Sequence, residues 1–138
     1  MEVASDKIIP VKAPKKLRIL CLHGYNNTTD IMMFQMQNFI NTLGDLCEFT
    51  FLEGPKNATK VPPIKYFVDK GIKPPYKKWM TLKYAPYRSL PDGSTRMALL
   101  KSQVNFDDVI ETNLYILEFM NRQDEPFDGF AAFSQGVY

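Results

Sequence analysis

Ser134 is the residue whose setting could do chemistry. It sits in the stretch F-D-G-F-A-A-F-S-Q-G-V-Y from Phe127 to Tyr138, where an almost unbroken apolar run leads straight to the serine. Small residues stand two before it, Ala132, and two after it, Gly136. This is the shape of a nucleophile elbow, in which a buried parallel strand turns sharply into a helix and holds the serine at a strained bend. Small flanks are expected because the turn brings the residues two before and two after the serine against each other. The usual pattern is G-x-S-x-G; A-F-S-Q-G puts alanine, the next smallest residue, in place of the first glycine. S-x-G alone is common, and its plain reading is a serine in a strand-to-loop turn. The apolar strand before it and a second element upstream favour the catalytic reading.

The second element follows the run Leu17 to Leu22 and reads His23-Gly24-Tyr25. In a parallel α/β sheet the loops after strands leave from the same carboxyl edge, so this loop and Ser134 would meet if their strands lie close. Ester hydrolysis needs such a meeting. A serine attacks the carbonyl carbon, and two backbone N–H groups must receive the oxygen that becomes negative. Losing one donor costs about 3–4 kcal/mol of barrier. The N–H of Gln135, next after the serine, is one candidate donor. Gly24 permits close approach of the early loop, and Tyr25 N–H is the candidate for the other. His23, the single histidine of the chain, is expected to brace the loop rather than serve as base. Asp30, Asp107 and Asp128 read as helix caps or surface charges rather than a triad acid, and Asp128 precedes the strand, at the wrong end of the sheet.

The elements that must position these groups follow from pattern. Leu17 to Leu22 reads as a strand buried on both faces. Thr29 or Asp30 can cap a helix in which Ile31, Met33, Phe34, Met36, Asn38, Phe39 and Ile40 recur at helical spacing to about Leu43, with Gly44 as its stop. Cys47 to Leu52 is the next strand. The order strand, loop, helix, strand predicts a parallel α/β unit. Residues 53–102 carry many prolines, lysines and aromatics and no long periodic segment. Such an insertion reads as a substrate loop or lid, with Lys78 to Tyr84 as a short strand or the edge of a binding wall. Asn105 can cap a helix reaching about Arg122, with Asp107, Asp108 and Glu111 at its positive end. Its expected apolar face is Phe106, Val109, Ile110, Leu114, Leu117 and Met120. Residues 1–16 read as a flexible leader.

The totals narrow the function classes. The 138 residues make one modest domain, 45% apolar and 23% charged, with a formal charge of +2. That balance carries no nucleic-acid footprint. No apolar run approaches the ~20 residues of a membrane span, and the polar start holds no signal-peptide core. Cys21 and Cys47 sit in apolar runs without disulfide or metal spacing, which fits buried thiols in a reducing compartment, cytoplasmic or also nuclear. No cofactor or metal is expected. H-G-Y-N-N-T-T is not a phosphate-cradling glycine loop, so nucleotide binding is disfavoured.

L-R-I-L-C-L-H-G-Y-N-N, F-L-E-G-P, K-K-W and F-D-G-F-A-A-F-S-Q-G, taken in order, resemble the FSH family of serine hydrolases. This is the α/β-hydrolase group that includes the fungal family serine hydrolases and the ovarian-tumour-candidate esterase. The resemblance spans about Leu17 to Tyr138. It implies an α/β-hydrolase fold: a mostly parallel sheet with helices on both faces. It also implies hydrolysis of small-molecule carboxylic esters by a Ser-Asp-His triad. Ser134 matches the nucleophile, Tyr25 and Gln135 the oxyanion-hole positions, with His23 and Gly24 supporting the loop. The aromatic middle matches the region that shapes the acyl pocket. Glu53 stands where the family often has aspartate and receives no catalytic role. The family's aspartate and histidine come after the serine, so residues 17–138 are expected to be the N-terminal portion of a hydrolase domain, with the later strands and helices missing. The alternative is a natural, inactive short form that acts as a binding or interaction module.

Overall fold

A computed structural model of the protein describes residues 12–58, 65–83, 88–89, 95–96, 103–104 and 106–137. In chain order the elements are β1 (Leu17–Leu22), α1 (Thr29–Gln35), α2 (Gln37–Leu43), β2 (Cys47–Leu52), β3 (Lys56–Asn57), α3 (Lys65–Asp69), β4 (Lys77–Lys78), β5 (Leu82–Lys83), β6 (Arg88–Ser89), β7 (Thr95–Arg96), β8 (Gln103–Val104), α4 (Phe106–Asn121), β9 (Gly129–Ala132) and a 3₁₀ turn, Ser134–Val137.

The main sheet has the order β2-β1-β9 and is wholly parallel. Leu22 is in register with Leu52 on one side and Ala132 on the other, so all three strands end at one level. His23, Glu53 and Phe133 therefore begin their loops side by side. The chain moves from β1 to β2, then back across β1 to β9. Right-handed crossovers in opposite directions must put their helices on opposite faces, and they do. Leu20, Leu22 and Leu52 pack under Tyr115, Ile116, Phe119 and Met120 of α4. Cys21, with Ile19, Phe49, Phe51 and Ala131, packs under Met32 and Met36. The alternation along β1 is the period of two that a strand with both faces covered requires. The expected α/β architecture is thus present.

Several local expectations are corrected. The cap of α1 is Thr28, whose Oγ1 accepts from Ile31 N–H at 3.2 Å; Thr29 and Asp30 lie inside the first turn. The single helix expected to Leu43 bends at Met36, although Met36 N–H to Met32 O and Ile40 N–H to Met36 O, both 2.9 Å, carry the ladder through the bend. Its packed side is Ile31, Met32 and Met36, while Met33, Phe34 and Phe39 are exposed. Gly44 ends α2 with φ −61°, so it does not use the left-handed conformation; a Cβ there would lie 2.7 Å from Ile40 O, and close approach is what glycine provides.

The face of α4 differs more. Ile110, Leu114 and Leu117 are exposed, and the buried side is Asp108 and Thr112 together with the four residues that meet the sheet. Both buried polar groups are anchors. Thr112 donates its hydroxyl to Trp79 O, and Asp108 accepts from Thr81 N–H at 2.8 Å. Asp108 also pairs with Lys56 at 3.1 Å. Thr81, then Lys56, holds the Asp108 carboxyl below the usual carboxylate range. Asn105, named above as a cap, lies outside the described residues.

The expected run Lys78 to Tyr84 is broken. β4 ends at Lys78, Trp79 and Met80 form a bend, and β5 starts at Leu82. β9 is an edge strand of the described sheet, with Phe130 more than half exposed, so the burial expected of it is not found; β1, also expected to be buried, has Leu20, Cys21 and Leu22 buried. Burial pushes the Cys21 thiol up to about 11, leaving it inert, and both cysteines are free. No helix among the described residues is long and apolar enough to cross a membrane.

Candidate active site

Ser134 follows directly on β9. Phe133 N–H continues the ladder by donating to Leu22 O at 3.1 Å, and the next residue turns out of the sheet. Ser134 has φ +52°, in the left-handed region. A side chain there is strained, costing of order 1–3 kcal/mol, and persists only where the surroundings enforce it. The serine is exposed. Gln135, in the first turn of the 3₁₀ segment, has a backbone N–H with no intrahelical acceptor.

The enforcing contact is at Gly136. A Cβ on Gly136 would lie 2.5 Å from Leu22 O and 2.7 Å from His23 O. The small residue after the serine is thus required by the end of β1. The crowding expected against Ala132 falls elsewhere: the nearest atoms belong instead to Leu22 and His23.

The loop after β1 meets the elbow. A Cβ on Gly24 would lie 3.1 Å from Phe133 Cδ1 and 3.2 Å from Ser134 Cβ. Tyr25 is half exposed beside it, and its N–H donates no backbone hydrogen bond among the described residues. The two loops that sequence placed on one edge are in contact there, at the point where the strand order reverses and open α/β sheets bind ligands.

His23 is fully buried. Its Nε2 accepts from Gly54 N–H at 2.8 Å, so the proton is on Nδ1, which donates to Gly24 O at 2.7 Å. Both nitrogens are spent on backbone, and neither faces Ser134. Desolvation lowers its pKa from the ordinary 6.5, against smaller raising contributions from the Gly24 bond and Glu53. Protonation would also aim Nε2–H at the Gly54 N–H. Stability contributed by the neutral ring is therefore complete above pH 6.5 and is lost as pH falls below it. Because the chain has one histidine, a fall in urea midpoint between about pH 7 and pH 5 should vanish in His23→Gln; an unchanged slope would show the ring is not held neutral.

Asp30 and Asp107 lie in the first turns of α1 and α4. Asp128 immediately precedes β9 at the far end, where Arg18 N–H donates to its carboxylate at 2.8 Å. Among the described residues no histidine or carboxylate is bonded to Ser134.

Sequence reasoning missed a polar cluster that joins the loops. Trp79, almost fully buried, tilts against the His23 ring with centroids 4.9 Å apart. Its Nε1–H donates to His23 O at 2.6 Å. The Gln135 side chain, also buried, accepts from Trp79 N–H at 2.9 Å and donates to Met80 O at 3.0 Å. The signal in sequence was thin: one tryptophan in a lysine-rich segment, 56 residues from its partner. On the α1/α2 side, an apolar groove of about 540 Å³ runs from Leu43 to Phe133. None of the described insertion residues lines it, although the acyl pocket was expected from that region.

Comparison with known proteins gives a consistent result. A family model described as "Serine hydrolase (FSH1)" matches residues 12–138. Esterase FUS5 of Gibberella moniliformis (strain M3125 / FGSC 7600) is 34% identical over 123 residues, 87% of this chain and 44% of the relative. Esterase FUS5 of Gibberella fujikuroi (strain CBS 195.34 / IMI 58289 / NRRL A-6831) is 32% identical over the same extent. The chain thus spans less than half the length of these curated relatives, at 44%. No solved structure matches it.

Proposed function

Because the chain belongs to the serine hydrolase (FSH1) family, we propose that it carries the nucleophile and oxyanion hole of a carboxylic ester hydrolase. The observation that supports this best is the left-handed Ser134, exposed and packed against Gly24. The Ser134 oxygen attacks the ester carbonyl carbon, and the carbonyl electron pair moves onto oxygen. Tyr25 and Gln135 N–H receive that charge, at positions fixed before the substrate arrives, so no reorganisation is needed as charge develops. Collapse of the tetrahedral species expels the alcohol and leaves an acyl-serine, which water then hydrolyses.

A base must take the serine proton and return it to the leaving alcohol. His23 braces the oxyanion loop and does not fill this role. The base and its acid partner come from outside the described residues, and the 138 residues alone give at most residual turnover. The name of both relatives, esterase, agrees with the ester substrate class.

The test is reaction with a fluorophosphonate probe. Slow labelling that maps to Ser134 and is lost in Ser134→Ala is the expected result. A folded protein that stays unlabelled after prolonged exposure would favour a non-catalytic binding module instead.

A further inference from the structure

The loop after β1 and the elbow after β9 approach each other at Gly24, beside Phe133 and Ser134, and at Gly136, beside Leu22 O and His23 O. Such contacts do not fix a hydrogen-bonding angle. What holds both loops in addition is a third segment, 77–80, from the insertion. Lys77 pairs with Asn27 in the first loop, by N–H to O bonds of 2.7 and 3.1 Å. Trp79 bonds to His23 O through its indole. Trp79 and Met80 are gripped by the Gln135 amide. The grip uses both ends of that amide, which is buried and therefore has no water to substitute for a lost partner.

We infer that Gln135 is a positioning residue through its side chain. By clamping the Trp79–Met80 bend to the elbow, it sets the separation of the two backbone donors that receive the oxyanion. Gln135 would thus contribute twice: its N–H contacts the reacting oxygen, and its amide orients that N–H and, through Trp79 and His23, the facing loop. Segment 77–80 of the lysine-rich insertion is then a strut of the site. This rests on the hydrolase reading above.

The geometry separates the two ends of the amide. Glutamate keeps an oxygen to accept from Trp79 N–H but loses the donor to Met80 O. Leucine keeps much of the shape and loses both. Trp79→Phe keeps an aromatic ring against His23 and loses only the indole bond.

The experiment measures fluorophosphonate labelling of Ser134 in wild type, Gln135→Leu, Gln135→Glu and Trp79→Phe. Far-ultraviolet circular dichroism checks folding, and emission of the single tryptophan reports the clamp where it is retained. Gln135→Leu should label about ten- to a hundredfold more slowly at saturating probe, with the half-saturating concentration unchanged, since only stabilisation of developing charge is lost. Its emission should shift to the red. Gln135→Glu should recover part of the rate, and Trp79→Phe should be slowed in the same sense. Folded Gln135→Leu or Trp79→Phe protein labelling at the wild-type rate would overturn the inference and leave the hydrolase reading intact. If Gln135→Leu fails to fold, the Glu and Phe variants decide. Wild-type protein that does not label at all sinks both.

Discussion

Added imidazole should raise ester hydrolysis by the 138-residue chain about ten- to a hundredfold, part of the 10²–10⁴ that a positioned general base supplies. The expectation follows from what surrounds Ser134. Ser134 is exposed, and on the proposed reading a small base reaches it from solution. The chain's own imidazole is buried and bonded at both nitrogens, so it cannot. The proposed oxyanion donors, Tyr25 and Gln135 N–H, would act without the base, and triad enzymes stripped of a member keep about 10³–10⁴ of rate over water through such donors. Release of p-nitrophenol should therefore rise with imidazole concentration and follow imidazole's own ionisation. The gain, after subtracting the reaction of imidazole with the ester in free solution, should be absent in Ser134→Ala. Turnover comparable to a complete esterase without imidazole would place the base within these residues and refute the account.

This dependence also shows where sequence stopped being legible. The parallel order and the meeting of the two loops could be read because each depends on local pattern: an apolar strand, then H-G-Y or S-Q-G. The face of α4 could not. Ile110, Leu114 and Leu117 make the more apolar stripe, yet the sheet takes Tyr115, Ile116 and Phe119. Thr112 and Asp108 lie on that packed side because each satisfies a backbone group of the Trp79–Thr81 bend. Hydrophobic periodicity assigns such residues to solvent, since it cannot see a carbonyl or N–H arriving from another segment. The same blindness hid the Gln135 side chain, whose partners are 55 and 56 residues away. His23 was more tractable, because the loop it occupies already limited its role to the backbone around it.

Gly136→Ala should be the most damaging single methyl at the site. The added carbon would stand 2.5 Å from Leu22 O and 2.7 Å from His23 O, both backbone atoms of the central strand's end. Neither oxygen is free to move: Leu22 O accepts from Phe133 N–H at 3.1 Å and His23 O from the Trp79 indole at 2.6 Å. The strain must go into the elbow itself or into the β1–β9 ladder. Overpacking of this kind costs about 1–3 kcal/mol, which lowers the melting temperature by roughly 4–12 °C for a domain of this size. If the elbow yields instead, a shift near 1 Å between Ser134 and the proposed oxyanion donors would cost about a hundredfold in labelling rate. Gly129→Ala is the matched control. Its methyl meets only Ile19 Cδ1, at 3.4 Å, an ordinary contact with the end of a flexible side chain, so melting and labelling should stay near wild type. A Gly136→Ala protein as stable and as reactive as that control would mean the elbow is not wedged against the end of β1, and the strain at Ser134 would lose its cause.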